Sequence, residues 1–94
     1  MLIVAGRLEL RPGHRDAFVA ASADAVAQAR ADQGCHDFVV AADPLDPDRV
    51  NVYERWETAA ELERFRGAGP SSDALSAVVS GDVARYEIAS VGQA

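Results

Sequence analysis

The sequence predicts an α+β fold, and three observations support the prediction. Stretches that alternate as β-strands do are interleaved with stretches of helical periodicity, in the order strand, helix, strand, strand, helix, strand. Segment 49–58 alternates, holds the only tryptophan and runs directly into a helix start. A length of 94 residues predicts one domain, residues 1–94. The order βαββαβ is typical of the ferredoxin-like arrangement, a four-stranded antiparallel sheet with helices on one face.

The first strand and the first helix are predicted within residues 2–33. In residues 2–10, leucine and valine take alternate positions, which places them on one face of a strand. Small and apolar residues recur at three- and four-residue steps through residues 14–33, which predicts one long helix. Gly34 follows, and a glycine in the left-handed conformation is a common end of a helix.

The second strand is predicted over residues 35–42. His36 and Phe38 are two positions apart, so alternation places both side chains on the face that the helices cover. The same alternation points Cys35 to the opposite face. A turn-rich loop, residues 43–48, then leads into the third strand.

The third strand is predicted to end beside the second helix. Alternation places Glu54 and Trp56 on one face of the strand. Thr58 stands three positions before Glu61 in the pattern of a capping box, in which each side chain bonds the backbone N–H of the other residue. Residues 59–66 are therefore predicted to be a helix. Its inward apolar residues are Leu62 and Phe65.

The C-terminal part is predicted to hold a short helix and the fourth strand. Glycine and proline interrupt the chain at residues 67–70. Residues 72–80 are predicted to be a helix with a leucine and two valines on one side. Residues 82–91 form the predicted fourth strand, with Tyr86 in the row that faces the helices.

Helices on one face leave the other face of the predicted sheet open. An apolar sheet face of this size is typical of a partner surface, and two-fold pairing of sheet against sheet is the simplest way to bury it. We therefore predict a homodimer through the open face. The apolar residues that alternation assigns to this face are Ile3, Ala5, Val39, Ala41 and Tyr53.

Composition argues against several functional classes. Nine basic residues against fifteen acidic ones leave a net charge of −6, which argues against binding to nucleic acid or to an anionic membrane surface. Apolar runs are far shorter than the roughly 20 residues of a membrane span, and the N-terminal residues lack the features of a signal peptide. A single cysteine cannot form an internal disulfide, so we predict a cytoplasmic protein. No metal-ligand spacing or cofactor motif is present, so neither a metal nor a cofactor is expected.

The residues also resemble a known family. Pro12-Gly13, Gly34-Cys35 and the run Tyr53-Glu54-Arg55-Trp56-Glu57 are together similar to the antibiotic biosynthesis monooxygenases, and the resemblance covers nearly the whole chain. It implies a dimeric α+β barrel in which Trp56 corresponds to the tryptophan of the family's cleft. Members of that family include cofactor-free oxygenases of anthrones, quinol monooxygenases, haem-degrading enzymes and enzymes that use no oxygen.

The chain departs from two branches of that family. In the haem-degrading branch, an asparagine falls at Gly6 and the haem-ligating histidine falls at Arg66, and arginine stays protonated and cannot ligate iron. In the anthrone-oxygenase branch, an asparagine and a tyrosine fall at Val52 and Leu62. Haem degradation is therefore disfavoured, and a polar catalytic set has to come from other residues.

An oxygenase without a cofactor needs an apolar aromatic slot, a base that deprotonates the substrate, and exclusion of water. Imidazole titrates near neutral pH, so His36 is the predicted catalytic base. Trp56 is the second predicted catalytic residue. The predicted substrate-binding residues are Phe38, Glu54, Leu62, Phe65, Leu75, Val79 and Tyr86.

Two functions of different classes fit these observations. The first is a cofactor-independent monooxygenase that oxidises an electron-rich aromatic, a quinol or an anthrone-like polyketide, with O2. The second is a dimeric barrel without oxygenase activity that binds a small hydrophobic metabolite, or isomerises or cyclises it by proton transfer. The family resemblance and His36 favour the first, whereas the apolar residues Val52 and Leu62 favour the second.

Overall fold

Strands and helices alternate along the chain in the computed structural model, which describes residues 1–67 and 72–94. Most of the predicted glycine- and proline-rich interruption at residues 67–70 lies outside the described residues. The observed order confirms the predicted α+β fold. The elements are β1 (Leu2–Leu10), α1 (Arg15–Ala21), α2 (Ala23–Ala31), β2 (Cys35–Ala42), β3 (Arg49–Trp56), α3 (Ala59–Gly67), a 3₁₀ helix (Ser72–Ala77) and β4 (Val78–Glu87).

A single antiparallel sheet orders the strands β2-β3-β1-β4. β1 lies in the interior and pairs with β3 on one side and with β4 on the other. In this register Leu2 lies opposite both Trp56 and Glu87. A helical crossover makes β1 parallel to β2 and another makes β3 parallel to β4, so that neighbours in the sheet run antiparallel. This is the ferredoxin-like topology that the element order predicts.

The main core lies between α3 and one end of the sheet. Leu2, Val4, Trp56 and Leu62 form it, and each exposes no more than 4% of its surface. Leu2 and Val4 occupy alternate positions of β1, so the period of two along a strand puts both under the helix. Three partly buried residues pack against this core: Cys35, Phe38 and Phe65.

The predicted helix over residues 14–33 is divided into α1 and α2. The division falls at Ser22, whose hydroxyl donates a hydrogen bond to the carbonyl oxygen of Val19 at 2.7 Å. A serine side chain that bonds the preceding turn competes with the backbone ladder and bends a helix. The N–H of Ser22 still bonds Phe18, and its carbonyl oxygen still accepts from Val26, so the interruption is confined to one residue.

Gly34 follows α2, and glycine stands at this position for a reason other than the one predicted. Of the glycines in the described residues, Gly6 and Gly13 have a positive φ, and Gly34 does not. Gly34 is buried beneath α3, where a Cβ would lie 2.5 Å from the Cβ of Glu61. Its carbonyl oxygen accepts the N–H of Glu57 at 2.8 Å. The position requires glycine because of this close approach, and the predicted left-handed helix end is wrong.

Half of the predicted capping box forms at the start of α3. The Thr58 hydroxyl accepts the N–H of Glu61 at 3.2 Å. The Glu61 carboxylate binds Arg64 instead of returning to Thr58, and Arg64 also binds Asp32 at 2.8 Å. These contacts tie α3 to the loop that precedes β2. The charged side chains line a shallow polar depression, and none of the described residues in its walls is aromatic.

The predicted helix over residues 72–80 forms only in part, as a 3₁₀ helix over Ser72–Ala77, and its predicted C-terminal end is wrong. The 3₁₀ helix is short, and β4 already begins at Val78, which pairs with Leu10 of β1. Adjacent valines favour an extended strand, and pairing satisfies the backbone groups along the edge of β1. The register is irregular at this point: Glu9 pairs with Ser80 and Leu10 pairs with Val78, so Val79 has no partner of its own in the ladder. β4 also ends earlier than predicted.

The sheet face opposite to the helices, named the open face here, carries the residues that alternation predicts. Ile3 and Ala5 of β1 pair with Arg55 and Tyr53 of β3, in the row opposite to that of the core. Val39 and Ala41 of β2 complete the open face.

Within the described part of the chain, no helix is long and apolar enough to cross a membrane.

Candidate active site

A bulge in β2 decides which side chains reach the helix-covered face. Cys35 pairs with Trp56, and the next pair along the ladder joins Asp37 to Arg55, so His36 is an extra residue. Past the bulge the alternation has shifted by one, and Cys35 lies on the covered face. The predictions that His36 shares that face with Phe38 and that Cys35 points away from it are therefore wrong.

His36 forms an ion pair at the surface. Its Nε2 lies 2.6 Å from Oε2 of Glu57, which follows directly after β3. The His36 side chain is 35% exposed and that of Glu57 is 57% exposed. The hydrogen bond and the positive charge of His36 lower the pKa of Glu57. His36 therefore holds the end of β3 to the bulge of β2, at the surface and outside the core formed by Trp56 and its neighbours.

Glu54 and Trp56 form a second carboxyl–ring pair on the covered face. The indole N–H of Trp56 donates to Oε1 of Glu54 at 3.0 Å. The Trp56 side chain is completely buried, whereas Glu54 is half-buried. Burial raises the pKa of Glu54, and the indole hydrogen bond and the charges of Arg66 and Arg85 oppose that rise. This carboxyl is held in one orientation in a partly apolar setting.

Aromatic rings surround this pair. The ring centroid of Phe65 lies 5.2 Å from that of Trp56 and 5.9 Å from that of Phe38, and both pairs are tilted. Rings in such tilted arrangements attract each other by about 1 kcal/mol beyond their buried area. Leu62 is completely buried beneath them. Five of the predicted site residues therefore come together: Phe38, Glu54, Trp56, Leu62 and Phe65.

Three predicted slot residues lie elsewhere. Tyr86 pairs with Ile3 and therefore lies on the open face, where it is 56% exposed. The prediction that Tyr86 faces the helices is wrong, because the ladder with β1 places it opposite Ile3, in the row of the open face. Leu75 of the 3₁₀ helix is 56% exposed and Val79 is 67% exposed, so neither packs against the aromatic rings.

Sequence reasoning missed three polar residues at this site. The thiol of Cys35 donates to the carbonyl oxygen of Asp37 at 3.3 Å, and burial together with the charge of Glu54 raises its pKa. Arg66 and Arg85 act on the charge of Glu54. No local pattern of the sequence indicates Arg85: the ladder brings it to this site, because Val4 pairs with Glu54 on one side and with Arg85 on the other.

The arrangement can transfer protons beside an aromatic molecule. Phe38, Phe65 and Glu54 are partly exposed, so rings and carboxyl are both within reach of a ligand. A carboxyl whose pKa is raised toward neutrality is a better proton acceptor than a surface carboxylate. Within residues 1–67 and 72–94, no group of three or more His, Cys, Asp or Glu side chains is arranged to hold a metal ion.

Comparisons with known proteins agree with this fold. The antibiotic biosynthesis monooxygenase family model matches residues 1–76. The Escherichia coli K12 protein named "Probable quinol monooxygenase YgiN" is 32% identical over 98 residues, which cover 94% of this chain and 93% of that protein. A Shigella flexneri protein of the same name matches equally well.

Solved structures show the same architecture. A candidate antibiotic biosynthesis monooxygenase from Deinococcus radiodurans superposes with a TM-score of 0.85 at 18% identity, over 100% of this chain and 98% of that chain. A similarly named protein from Chloroflexus aurantiacus has a TM-score of 0.67 at 26% identity, over 97% of this chain and 96% of that chain. These structural matches show the fold, whereas the family model and the sequence relatives show the family. The chain belongs to the antibiotic biosynthesis monooxygenase family.

Proposed function

We propose that this protein is a cofactor-independent monooxygenase that oxidises an electron-rich aromatic, a quinol or an anthrone-like polyketide, with O2. The observation that carries the proposal is the relative named as a quinol monooxygenase, with which 94% of this chain aligns at 32% identity. The cluster of Phe38, Phe65 and Glu54 supports it, because it combines aromatic walls with a carboxyl.

The chemistry requires little from the protein besides binding and proton transfer. A deprotonated quinol or anthrone is electron-rich enough to pass an electron to O2 directly. Over the whole reaction the substrate supplies four electrons, one oxygen atom enters the product, and the other leaves as water. A site for this reaction must hold the aromatic, remove its proton and exclude bulk water.

The proposed site consists of Phe38, Phe65 and Glu54, resting on Trp56 and Leu62. Trp56 is completely buried, so we assign it to orienting Glu54 through the indole N–H rather than to touching the substrate. The surface ion pair with Glu57 leaves His36 outside this site. Three exposed residues of the C-terminal part also lie outside this site: Leu75, Val79 and Tyr86.

Oxygen consumption tests the proposal. Metal-free protein is mixed with hydroquinones, naphthols and anthrones, and ¹⁸O2 is used to follow oxygen into the product. We expect one labelled atom in the product, and a KM raised about tenfold by Phe65→Ala or Phe38→Ala through lost ring contact. Phe18→Ala, in α1, is the matched control. No oxygen uptake above buffer with the whole panel, from folded protein, would refute the proposal.

We also propose that the protein is a cytoplasmic homodimer that pairs through the open face. The apolar residues of that face support the dimer, as does Arg55, whose Nε is buried yet has no hydrogen-bond partner within the described residues. A second copy would supply an acceptor. Ile3→Glu should yield a monomer in sedimentation, whereas Leu45→Glu, at a residue that is 92% exposed, should not. A monomeric wild-type protein would contradict the dimer.

A proton-transfer enzyme without oxygenase activity is the second candidate. Val52 and Leu62 stand where anthrone oxygenases of the family carry polar residues, and a carboxyl beside aromatic rings suffices for isomerisation or cyclisation. Turnover that continues at the same rate after oxygen is removed would favour this candidate over the monooxygenase.

A further inference from the structure

Glu54 occupies the row of the covered face on which α3 and the aromatic rings lie. It pairs with Phe38 of β2 and with Val4 of β1, so its side chain emerges between a ring and a core valine. Cys35 stands at the start of the same strand as Phe38, close enough that the Glu54 charge helps to raise the pKa of its thiol. The positive charges of Arg66 in α3 and Arg85 in β4 act on the Glu54 carboxyl and lower its pKa.

One oxygen of this carboxyl is held and the other is open to a ligand. Oε1 accepts the indole N–H of Trp56 at 3.0 Å. Oε2 has no hydrogen-bond donor within the described residues. Trp56 cannot turn away, because it is fully buried in the core. The carboxyl plane is therefore set by a rigid partner, which is the arrangement that a positioned base requires.

We propose that Glu54 is the general base of the site and that Trp56 is its positioning residue. This inference rests on the proposed oxygenase function for its substrate. The ionised carboxylate takes the proton from the hydroxyl of a phenol or quinol, or from the acidic C–H of an anthrone, and becomes the carboxylic acid. The substrate becomes the aryloxide or the corresponding carbanion. After oxygen has reacted, the same proton completes the water that leaves.

The surrounding charges suit this transfer. Before the step, the negative charge is on Glu54, and afterwards it is on the substrate anion beside it. Arg66 and Arg85 therefore face the same total charge throughout, and they stabilise the anion at the moment it forms. Arg85 is itself held by Glu63 of α3 at 2.5 Å, which fixes the position of that cation.

His36 is the competing base and has a weaker position. Its Nε2 is occupied by the Glu57 carboxylate, and the bulge turns it away from Phe38. A carboxylate base at this position selects aromatics that carry an ionisable hydroxyl or an acidic C–H. Quinols whose two hydroxyls are both O-methylated have no proton to give and should be inert.

Glu54→Gln tests the assignment, because glutamine keeps the shape and an oxygen that can accept from Trp56. We expect kcat for a hydroquinone to fall about 100-fold with KM changed less than threefold, and the residual rate to rise with pH as the substrate ionises in water. Glu54→Asp, which keeps a displaced carboxylate, should lie between. Glu57→Gln and His36→Ala should keep kcat within threefold. A Glu54→Gln enzyme with wild-type kcat and pH profile would overturn the proposal.

A second measurement separates the base from the oxygenase. Deuterium exchange into the acidic C–H of anthrone is followed by NMR without oxygen, where proton transfer is the only chemistry. Exchange by wild type that is lost in Glu54→Gln supports the base even if no oxygen is ever consumed. Oxygen uptake that persists in Glu54→Gln overturns the base and leaves the oxygenase intact. Absence of exchange by wild type also overturns the base.

Discussion

Two carboxyl–ring pairs near the end of β3 have opposite properties. Glu54 accepts a hydrogen bond from the Trp56 indole, and Glu57, three residues later, binds the His36 imidazole. The pKa of Glu54 is raised by burial, whereas the pKa of Glu57 is lowered by the hydrogen bond and charge of His36. The first pair lies under α3 and the second lies at the surface.

The difference shows that surroundings decide what a carboxyl can do. Both pairs join a glutamate to a ring N–H, and both lie in one short stretch of sequence. A neutral indole offers Glu54 a hydrogen bond without the opposite charge that would cancel the cost of burial. Glu57 has both a cationic partner and water, so it stays an ordinary surface carboxylate. Proton transfer is suited to the first environment, and an ion pair to the second.

Removing each ring should separate the two pairs most widely. Trp56→Ala leaves a cavity in the core and takes the donor from Glu54, so it should lower the free energy of unfolding by about 3–5 kcal/mol. His36→Ala removes one exposed ion pair, which is screened by solvent, and should cost only a small fraction of that. Urea unfolding followed by circular dichroism measures both. Equal losses would contradict the distinction between core and surface.

Trp56→Phe isolates the hydrogen bond from the packing. Phenylalanine retains an aromatic ring but has no N–H, so Glu54 loses its hydrogen-bond donor and the free energy of unfolding should fall by about 1–3 kcal/mol at pH 7. The loss should be smaller near pH 4, where the carboxyl is protonated. Urea unfolding at the two pH values tests this. An identical loss at both would show that only packing had changed.

The pH dependence of stability should have opposite signs for the two glutamates. The pKa of Glu54 is raised above 4.5, so its stabilising effect is present below that pH and is lost as the pH rises through the folded-state value. The pKa of Glu57 is lowered, so its contribution is present above 4.5 and is lost as the pH falls. As the pH rises from 4 to 7, the stability of Glu54→Gln should therefore increase relative to that of wild type, whereas the stability of Glu57→Gln should decrease relative to it. Parallel curves would contradict the assigned environments.

Salt should produce the smallest effect. The pair of His36 and Glu57 is exposed, so 1 M NaCl should reduce the cost of His36→Ala toward zero. The cost of Trp56→Phe should stay the same, because its hydrogen bond involves a neutral donor in the core. Urea unfolding in low and high salt compares the two. A strong salt effect on Trp56→Phe would place Glu54 nearer to solvent than the structure does.

Much of the fold and part of the site could be predicted from sequence. Periodicity identified all four strands, and the order of elements then left the ferredoxin-like sheet as the expected topology. Alternation within β3 placed Glu54 beside Trp56, and helical spacing directed Leu62 and Phe65 inward. These inferences succeeded because each used the repeat of one regular element.

The tertiary structure alone decided the rest. His36 was assigned to the wrong face because one extra residue in β2 reverses every position on one side of it, and Tyr86 because the ladder with β1 set a register that no local pattern encodes. Burial raises the pKa of Glu54, and the charges of Arg66 from α3 and Arg85 from β4 limit that rise, so the pKa depends on elements that are distant in sequence. By itself, the sequence determined which segments are strands and which are helices, and which residues share a face within one segment, since local sterics and periodicity act within a segment. Which side chains face each other depends on long-range pairing, and that pairing exchanged His36 for Glu54 as the candidate base.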